Sequence, residues 1–402
     1  MMQILENIRV LDLSQFLSGP RASQLMAFFG AEVIKIEPPA GDSMRLLLKV
    51  SGSERSMSCL HQNKKGIIID LKKKEGADLF VQLVERSDVI IENLKPGTLD
   101  TIGLNYENLK QRNPRIIYAK ISGFGNDGPL ADRTAFDIIS QATAGIMYAN
   151  GTVDRPPGVF FGDLTSGAYC AYGIMLALMA REKTGKGQFI DISMQDVMYF
   201  HNFWCFTEKA NGPVKDNIKQ LFGREMKKFL SDHEHPMPFW STYKCSDGYV
   251  CVVALTDNQW NSLLETIGRP DLIQDARFSH FVNRVKNADD ARAVINRWME
   301  QYSCEEVVAK LTGRRIPCGK VVDYDEVNKD DNLDSRGMFA KVNHQRFGDI
   351  DVPGNPVNLS DTPGFISSPS PDLGEHTEEV LEKILGASPE AIRKLKKGGV
   401  IA

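Results

Sequence analysis

Residues Gly162–Asp196, GDLTSGAYCAYGIMLALMAREKTGKGQFIDISMQD, carry a helix and the strand that follows it. Leu164 to Ala180 is apolar enough for a buried helix, and the basic, glycine-punctuated turn Arg181–Gly187 is its natural stop. Phe189–Ile192 then reads as a strand. At the mouth of the helix stands Asp163, among the small residues Gly162, Ser166 and Gly167. An Asp before a helix is most often an N-cap, its oxygens accepting the second or third helical N–H. A carboxylate kept ionised by the helix dipole could instead attack a thioester and form a mixed anhydride. The segment alone leaves both uses open.

Upstream, short β-branched runs alternate with amphipathic helical stretches. Arg9–Leu13, Glu32–Ile36, Gly66–Leu71, Asp88–Glu92 and Ile116–Ile121 read as strands. Pro20–Phe29, Glu75–Arg86 and Tyr106–Gln111 read as helices. This alternation implies α/β architecture, a parallel sheet covered on both faces. Functional groups then collect in the loops after the carboxyl ends of the strands. Downstream the texture changes. A polar, proline-bearing linker spans 206–239, and a smaller α+β domain spans 240–325. Within it Ser241–Cys245 and Tyr249–Ala254 form a hairpin about Asp247-Gly248. Helices follow near Gln259–Ile267, Asp289–Gln301 and Cys304–Leu311, then a strand over Ile316–Val322. Residues 326–402 return to the first domain, 1–205, and close with helices Thr377–Leu385 and Pro389–Lys397, the latter capped by Ser388.

The chain has 402 residues, 42% apolar and 25% charged, with a net charge of −4. That size allows two domains. Without a basic excess, no nucleic-acid partner is expected. The apolar run Ala168–Ala180 is too short to span a bilayer, so no membrane partner is expected either. MMQILENIRVLDLS lacks the pattern of a secretory signal. Seven cysteines without C-x-x-C spacing suggest reduced thiols in the cytoplasm rather than disulfides or a zinc site.

Several motifs have plainer readings. Gly123-Phe-Gly125-Asn-Asp-Gly128 matches a dinucleotide fingerprint, but Pro129 and a polar loop stand where that motif opens a helix. His233-Glu-His235 has no third ligand nearby, so no metal site is expected. Lys72–Lys74, and Glu92-Asn93-Leu94-Lys95-Pro96-Gly97 after the fourth strand, are either solvated loops or the seat of an anionic ligand.

Taken in order, these pieces resemble the class III CoA-transferase family, also called CaiB/BaiF, along nearly the whole chain. They comprise Val10-Leu-Asp-Leu, Ser18-Gly-Pro, Gly30-Ala-Glu-Val-Ile-Lys-Ile-Glu-Pro, Gly41-Asp42 with Arg45, and Asn63-Lys64-Lys65 before Asp70-Leu71-Lys72. Glu92–Gly97, Ile121-Ser-Gly-Phe-Gly, Asp137 with Gln141, the Asp163 segment and Gly374-Glu-His-Thr complete the series. The resemblance implies a Rossmann-like large domain built from both chain ends, and ring-shaped subunits in an interlocked homodimer. It makes Asp163 the nucleophile and seats CoA near Leu71 and Lys72, on Asn93, Leu94 and Lys95, and beside Phe136 and Asp137. CoA moves from an acyl-CoA to a small-to-medium organic acid, without a permanently bound cofactor, because the aspartyl anhydride preserves the energy of the thioester. Backbone N–H groups around Gly162–Ser166 would stabilise the oxyanions. Two departures from the formyl-CoA transferase branch point away from formate or oxalate. Leu17 and Thr101 replace a glutamine and an arginine, and no four-glycine run occurs between residues 205 and 260.

Two other functions compete. An α-methylacyl-CoA racemase of the same fold needs a histidine in the segment Thr134–Asp137, where Phe136 cannot carry a proton. A non-catalytic acyl-CoA-binding protein would hold CoA without a covalent adduct. For the acid pocket, Gln15, Phe16, Leu17, Phe28, Tyr148, Tyr169 and Trp204 are candidates.

Overall fold

The computed structural model describes residues 3–203, Cys205 and residues 238–402. Trp204, the His233/His235 pair and all but the end of the 206–239 linker lie outside the described residues. The described chain divides into two compact units. One takes in Met1–Ile146, Asp154–Asn202 and Asp331–Ala402; the other takes in Met147–Val153 and Phe203–Asp330.

The first unit begins with β1 (Arg9–Asp12), α1 (Ser18–Ala27), β2 (Glu32–Glu37), α2 (Ser43–Val50), β3 (Lys64–Ile68), α3 (Lys74–Val84) and β4 (Val89–Glu92). It continues through α4 (Tyr106–Arg112), β5 (Ile117–Ser122), α5 (Asp137–Thr143) and the short α6 (Ile146–Ala149), which runs over its boundary. Next come α7 (Phe161–Thr184), β6 (Phe189–Ser193) and α8 (Met194–His201). All six strands expected from the β-branched runs are present. They form one sheet in the order β3-β2-β1-β4-β5-β6, parallel throughout. That is a strand order of doubly wound α/β folds.

Alternate residues explain the two layers, since a strand turns successive side chains to opposite faces. Val10, Val33 and Ile91 pack with Ala22 and Met26 of α1 and Cys170, Ile174 and Ala177 of α7. Leu11, Ile34 and Ile90 pack with Leu79 and Leu83 of α3, Leu109 of α4, and Val380, Leu381 and Ile392 near the C-terminus. The central strands β4 and β5 are buried along their whole length, which is why they read as largely apolar runs.

Helix α7 is longer than its apolar run, starting at Phe161 and ending where Gly185 takes φ 71°. The Gly185 N–H bonds the Arg181 carbonyl at 2.8 Å. At the far end of the chain, helices Thr377–Leu385 and Pro389–Lys397 form as expected, with Ser388 accepting the Ala391 N–H. This C-terminal stretch covers the open edge of β3. Gly66 N–H bonds His376 Nδ1 at 3.2 Å, Ile68 N–H bonds Thr377 Oγ1 at 3.1 Å, and Asp70 N–H bonds the Val400 carbonyl at 2.8 Å. Between the two units' junction at Asp331 and that edge cover lies a hairpin of β10 and β11, Phe339–His344 and Gly348–Pro353.

The second unit carries an antiparallel sheet of β7 (Trp240–Lys244), β8 (Tyr249–Val253) and β9 (Cys318–Lys320). The expected hairpin is there, with Lys244 opposite Tyr249. The strand expected over Ile316–Val322 shortens to three residues, and at its start Pro317 has no N–H for a ladder. Helices Asp257–Thr266, Ala288–Met299 and Cys304–Thr312 bury Trp260, Leu263, Ile295, Met299 and Leu311 against the sheet. Among the described residues, no helix is long and apolar enough to cross a membrane.

Candidate active site

Strand order reverses at β1, which pairs with β2 on one side and β4 on the other. The loops leaving β1 and β4 therefore diverge and open a crevice at the carboxyl edge of the sheet. A cavity of about 560 Å³ occupies it, entirely within the first unit. Gln15, Phe16 and Ser18 line it after β1, Asn93, Leu94 and Lys95 after β4, and Ser122 and Gly123 at the end of β5, with Phe136 and Asp163 on the same wall. Phe16 and Phe136 meet edge to face at 5.6 Å.

Asp163 is the third residue of α7 and not its cap; the N-cap is Phe160, which makes no side-chain bond. This removes the capping reading. The acceptor for the helix start comes instead from a distant side chain. Asp137 Oδ1 accepts the Asp163 N–H at 3.1 Å, while Gln141 Nε2 donates to Asp137 Oδ2 at 2.7 Å and to the Val159 carbonyl at 3.0 Å. Two glycines allow this approach. A Cβ on Gly162 would sit 2.4 Å from Ser140 Oγ and 3.0 Å from Asp137 Oδ1, and one on Gly167 would sit 2.4 Å from the Ser18 carbonyl oxygen. Without that last Cβ the start of α1 presses onto α7, and Ser18 and Asp163 come to line the same cavity.

The carboxyl of Asp163 is pushed up to about 7, first by burial and then by the Asp137 carboxylate, with the Ser18 hydrogen bond opposing both. The expectation that the helix N-terminus keeps Asp163 fully ionised at neutral pH is therefore corrected. Loss of water and a like charge outweigh the dipole.

The β1–α1 loop is held by side chains from three strands or strand ends. Asp12 Oδ1 accepts the Ser14 N–H at 3.0 Å, and Lys35 Nζ donates to the Ser14 carbonyl at 2.9 Å and to Asp42 Oδ2 at 3.0 Å. Asn93 holds both the N–H and the carbonyl of Gln15, at 2.8 and 2.7 Å. Phe16 takes φ 61°, a conformation uncommon for a residue with a bulky side chain. Behind this loop Asp12, Lys35, Asp42 and Lys64 form a fully buried quartet. Burial opposes ionisation of Asp12, but Lys64 and Lys35 hold it below the usual carboxylate range. Burial, only partly offset by Asp12, lowers Lys64 to about 8.

Of the residues expected to contact CoA, Asn93, Leu94, Lys95 and Phe136 line the cavity with Asp163. Asp137 lies buried beneath it, engaged by Asp163 and Gln141. Leu71 and Lys72 are not in the lining; Leu71 packs on the core over α3, and Lys72 is exposed with its N–H on Asp70. Glu92, at the root of the Asn93–Lys95 turn, accepts the Leu94 N–H at 2.8 Å, and burial raises it to about 7 against the pull of Lys120. Of the acid-pocket candidates, Gln15 and Phe16 line this cavity. Phe28 is core, and Tyr169 faces a second cavity with Phe200. Sequence reasoning missed Ser18, Ser43 and Arg133 in the lining. For Ser18 a signal existed, a small hydroxyl opening the helix directly after the first strand. Among the described residues no group of three or more His, Cys, Asp or Glu side chains could hold a metal ion.

A carboxylate with a pinned main chain thus faces a cavity at the switch point of a doubly wound sheet. The model of CoA-transferase family III matches residues 5–377. The chain belongs to CoA-transferase family III. As a member of family III it is an enzyme that transfers coenzyme A. A formyl-CoA:oxalate CoA-transferase of Streptomyces coelicolor is 36% identical to it, over 99% of either chain. The succinyl-CoA–L-malate CoA-transferase beta subunit of Chloroflexus aurantiacus is 32% identical, over 99% of this chain and 98% of its own. A solved CAIB/BAIF family protein from Brucella suis superimposes with a TM-score of 0.78 at 31% identity, covering 96% of this chain and 100% of that one.

Proposed function

We propose that Asp163 carries the CoA between two acids through covalent intermediates. The observation that carries this reading is its half-buried carboxyl, set in the switch-point cavity with its own N–H pinned by Asp137. Asp163 attacks the acyl-CoA carbonyl, giving an aspartyl–acyl anhydride and CoA thiolate. The thiolate returns to the Asp163 carbonyl, forming an aspartyl-CoA thioester and releasing the first acid. The incoming acid reverses these steps and leaves as the new acyl-CoA.

In this reading CoA thioesters enter as substrates, and Asn93, Leu94, Lys95 and Phe136 surround the reacting end. Asp137 acts from below by fixing the Asp163 main chain. Leu71 and Lys72 follow β3, three strands from β4 along the same edge, a lateral offset of about 14 Å at sheet spacing. They would meet the far end of CoA, beyond the cavity. The acceptor is a small-to-medium organic acid. Curated relatives act on formyl-CoA with oxalate and on succinyl-CoA with L-malate, so the acid is to be assigned by exchange assays.

The enzyme works as an interlocked homodimer in the cytoplasm. In support, Tyr172, Leu176 and Met179 are 60, 48 and 64% exposed along one side of α7, an apolar stripe of the kind that marks an interface. Exposed thiols at Cys205 and Cys251 suit a reducing compartment. Incubation with acyl-CoA followed by hydroxylamine and peptide mapping tests the chemistry. The expected product is a hydroxamate at Asp163. An unmodified peptide, with turnover intact in Asp163→Asn, would sink it.

A further inference from the structure

The amide of Asn93 cannot be turned over. Its Oδ1 accepts the Gln15 N–H at 2.8 Å and its Nδ2 donates to the Gln15 carbonyl at 2.7 Å. A flipped amide would face donor with donor and acceptor with acceptor. The second Nδ2 proton therefore points to Ser18 Oγ, at 3.0 Å. Ser18 Oγ is thereby an acceptor toward Asn93, and its single proton is left for a partner on the cavity wall that it shares with the Asp163 carboxyl. Ser18 is 2% exposed, so water does not compete for that proton. Its neighbour Leu17 has no polar side-chain atom to share the task.

We infer that Ser18 is a catalytic hydroxyl of this transferase, donating to the Asp163 carboxyl oxygen while Asn93 acts as the positioning residue that fixes its direction. This rests on Asp163 as the nucleophile. In the resting state the hydroxyl bonds the carboxylate oxygen. In the thioester-forming step the CoA thiolate adds to the Asp163 carbonyl carbon of the anhydride. A C–S bond forms, and the π electron pair moves onto the Asp163 carbonyl oxygen. There the Ser18 O–H hydrogen-bonds the oxyanion without giving up its proton. As the intermediate collapses, the pair returns to remake the carbonyl. The C–O bond to the bridging oxygen breaks, and the first acid leaves as its carboxylate. The donor strengthens its bond when charge concentrates on one oxygen, so it favours the transition state over the ground state.

Ser18→Ala and the nearly isosteric Ser18→Cys test this together. Both are expected to lower kcat by roughly 100-fold at about pH 8, the usual cost of one lost oxyanion donor. The acyl-CoA KM should stay within about threefold, and the acid limb of kcat/KM should move to higher pH, because the opposing hydrogen bond to Asp163 is gone. Ser18→Cys fills the same space, so its loss cannot be assigned to a packing defect even if Ser18→Ala proves unstable. Wild-type kcat and an unmoved acid limb in both variants, with hydroxylamine still trapping Asp163, would overturn the role of Ser18 and leave Asp163 standing. Absence of a trapped adduct in the unaltered enzyme would instead strike at Asp163 itself.

Discussion

Replacing Asp163 by Asn should destroy turnover and stabilise the fold, with a pH dependence that reports the site. The carboxyl titrates at about 7 in the folded chain against a reference of 3.8. Because the folded value is raised, the folded state holds an extra proton between those two limits. The linkage relation then makes stability fall as pH rises through the window, and level off above about 7. The gap of roughly 3 units, at 1.36 kcal/mol each, amounts to about 4 kcal/mol at pH 8. At about pH 5 the same relation leaves about 2 kcal/mol, and below about pH 4 almost nothing. Asn is neutral at every pH and keeps the shape and an acceptor for Ser18. Its advantage over the parent should follow the same curve. Thermal unfolding of both proteins across pH would read it as about 8 °C at pH 8 and about 4 °C at pH 5, at roughly 2 °C per kcal/mol for units of this size. A difference that does not vary with pH, or a less stable Asn variant at pH 8, would refute the idea of a carboxyl desolvated beside Asp137.

The same titration predicts that kcat/KM for acyl-CoA falls about tenfold per pH unit below an apparent value near 7, as the nucleophile takes up its proton; a pH–rate profile flat from about pH 5 to 8 would contradict it. Lys35→Met should cost about 3–5 kcal/mol in urea denaturation, because Asp42 is left buried without its cation. It should also raise the acyl-CoA KM by releasing the Ser14 carbonyl. Gly167→Val should lose several kcal/mol, about 1–3 or more for overpacking, since its Cβ would meet the Ser18 carbonyl at 2.4 Å. Near-normal stability there would mean that α1 and α7 are less closely apposed.

The sheet was legible because its central strands are buried on both faces, so they show as short, largely apolar runs with a helix behind each. Strand β3, expected over Gly66–Leu71, runs over Lys64–Ile68, whereas the glycine stop of α7 at Gly185 followed from an equally local signal. The start of α7 did not. Phe160 and Phe161 carry no cap signal, and the acceptor comes from Asp137, 26 positions earlier in the chain. The state of the Asp163 carboxyl was misjudged for a related reason. A helix dipole can be read from sequence, whereas the burial and the second carboxylate that overcome it exist only after folding. Ser18 was visible only as part of a glycine–proline motif, since its partners arrive from β4 and α7. Nothing local marks Lys35 and Lys64 as buried and paired, because Asp42 and Asp12 meet them only in the fold. Leu71 came from family resemblance alone and Lys72 from resemblance and a basic run after a strand, and both lie outside the cavity lining.

The edge of β3 is sealed by residues made last. Gly66 waits for His376, which lies 310 positions further along. At roughly 5–20 residues per second of synthesis, that is about 15–60 s during which the strand's backbone groups stay open after leaving the ribosome. An uncovered parallel edge invites pairing with other chains. The newborn first unit is thus a client for chaperones until its tail arrives, and truncation before residue 376 should yield inclusion bodies rather than a smaller working enzyme.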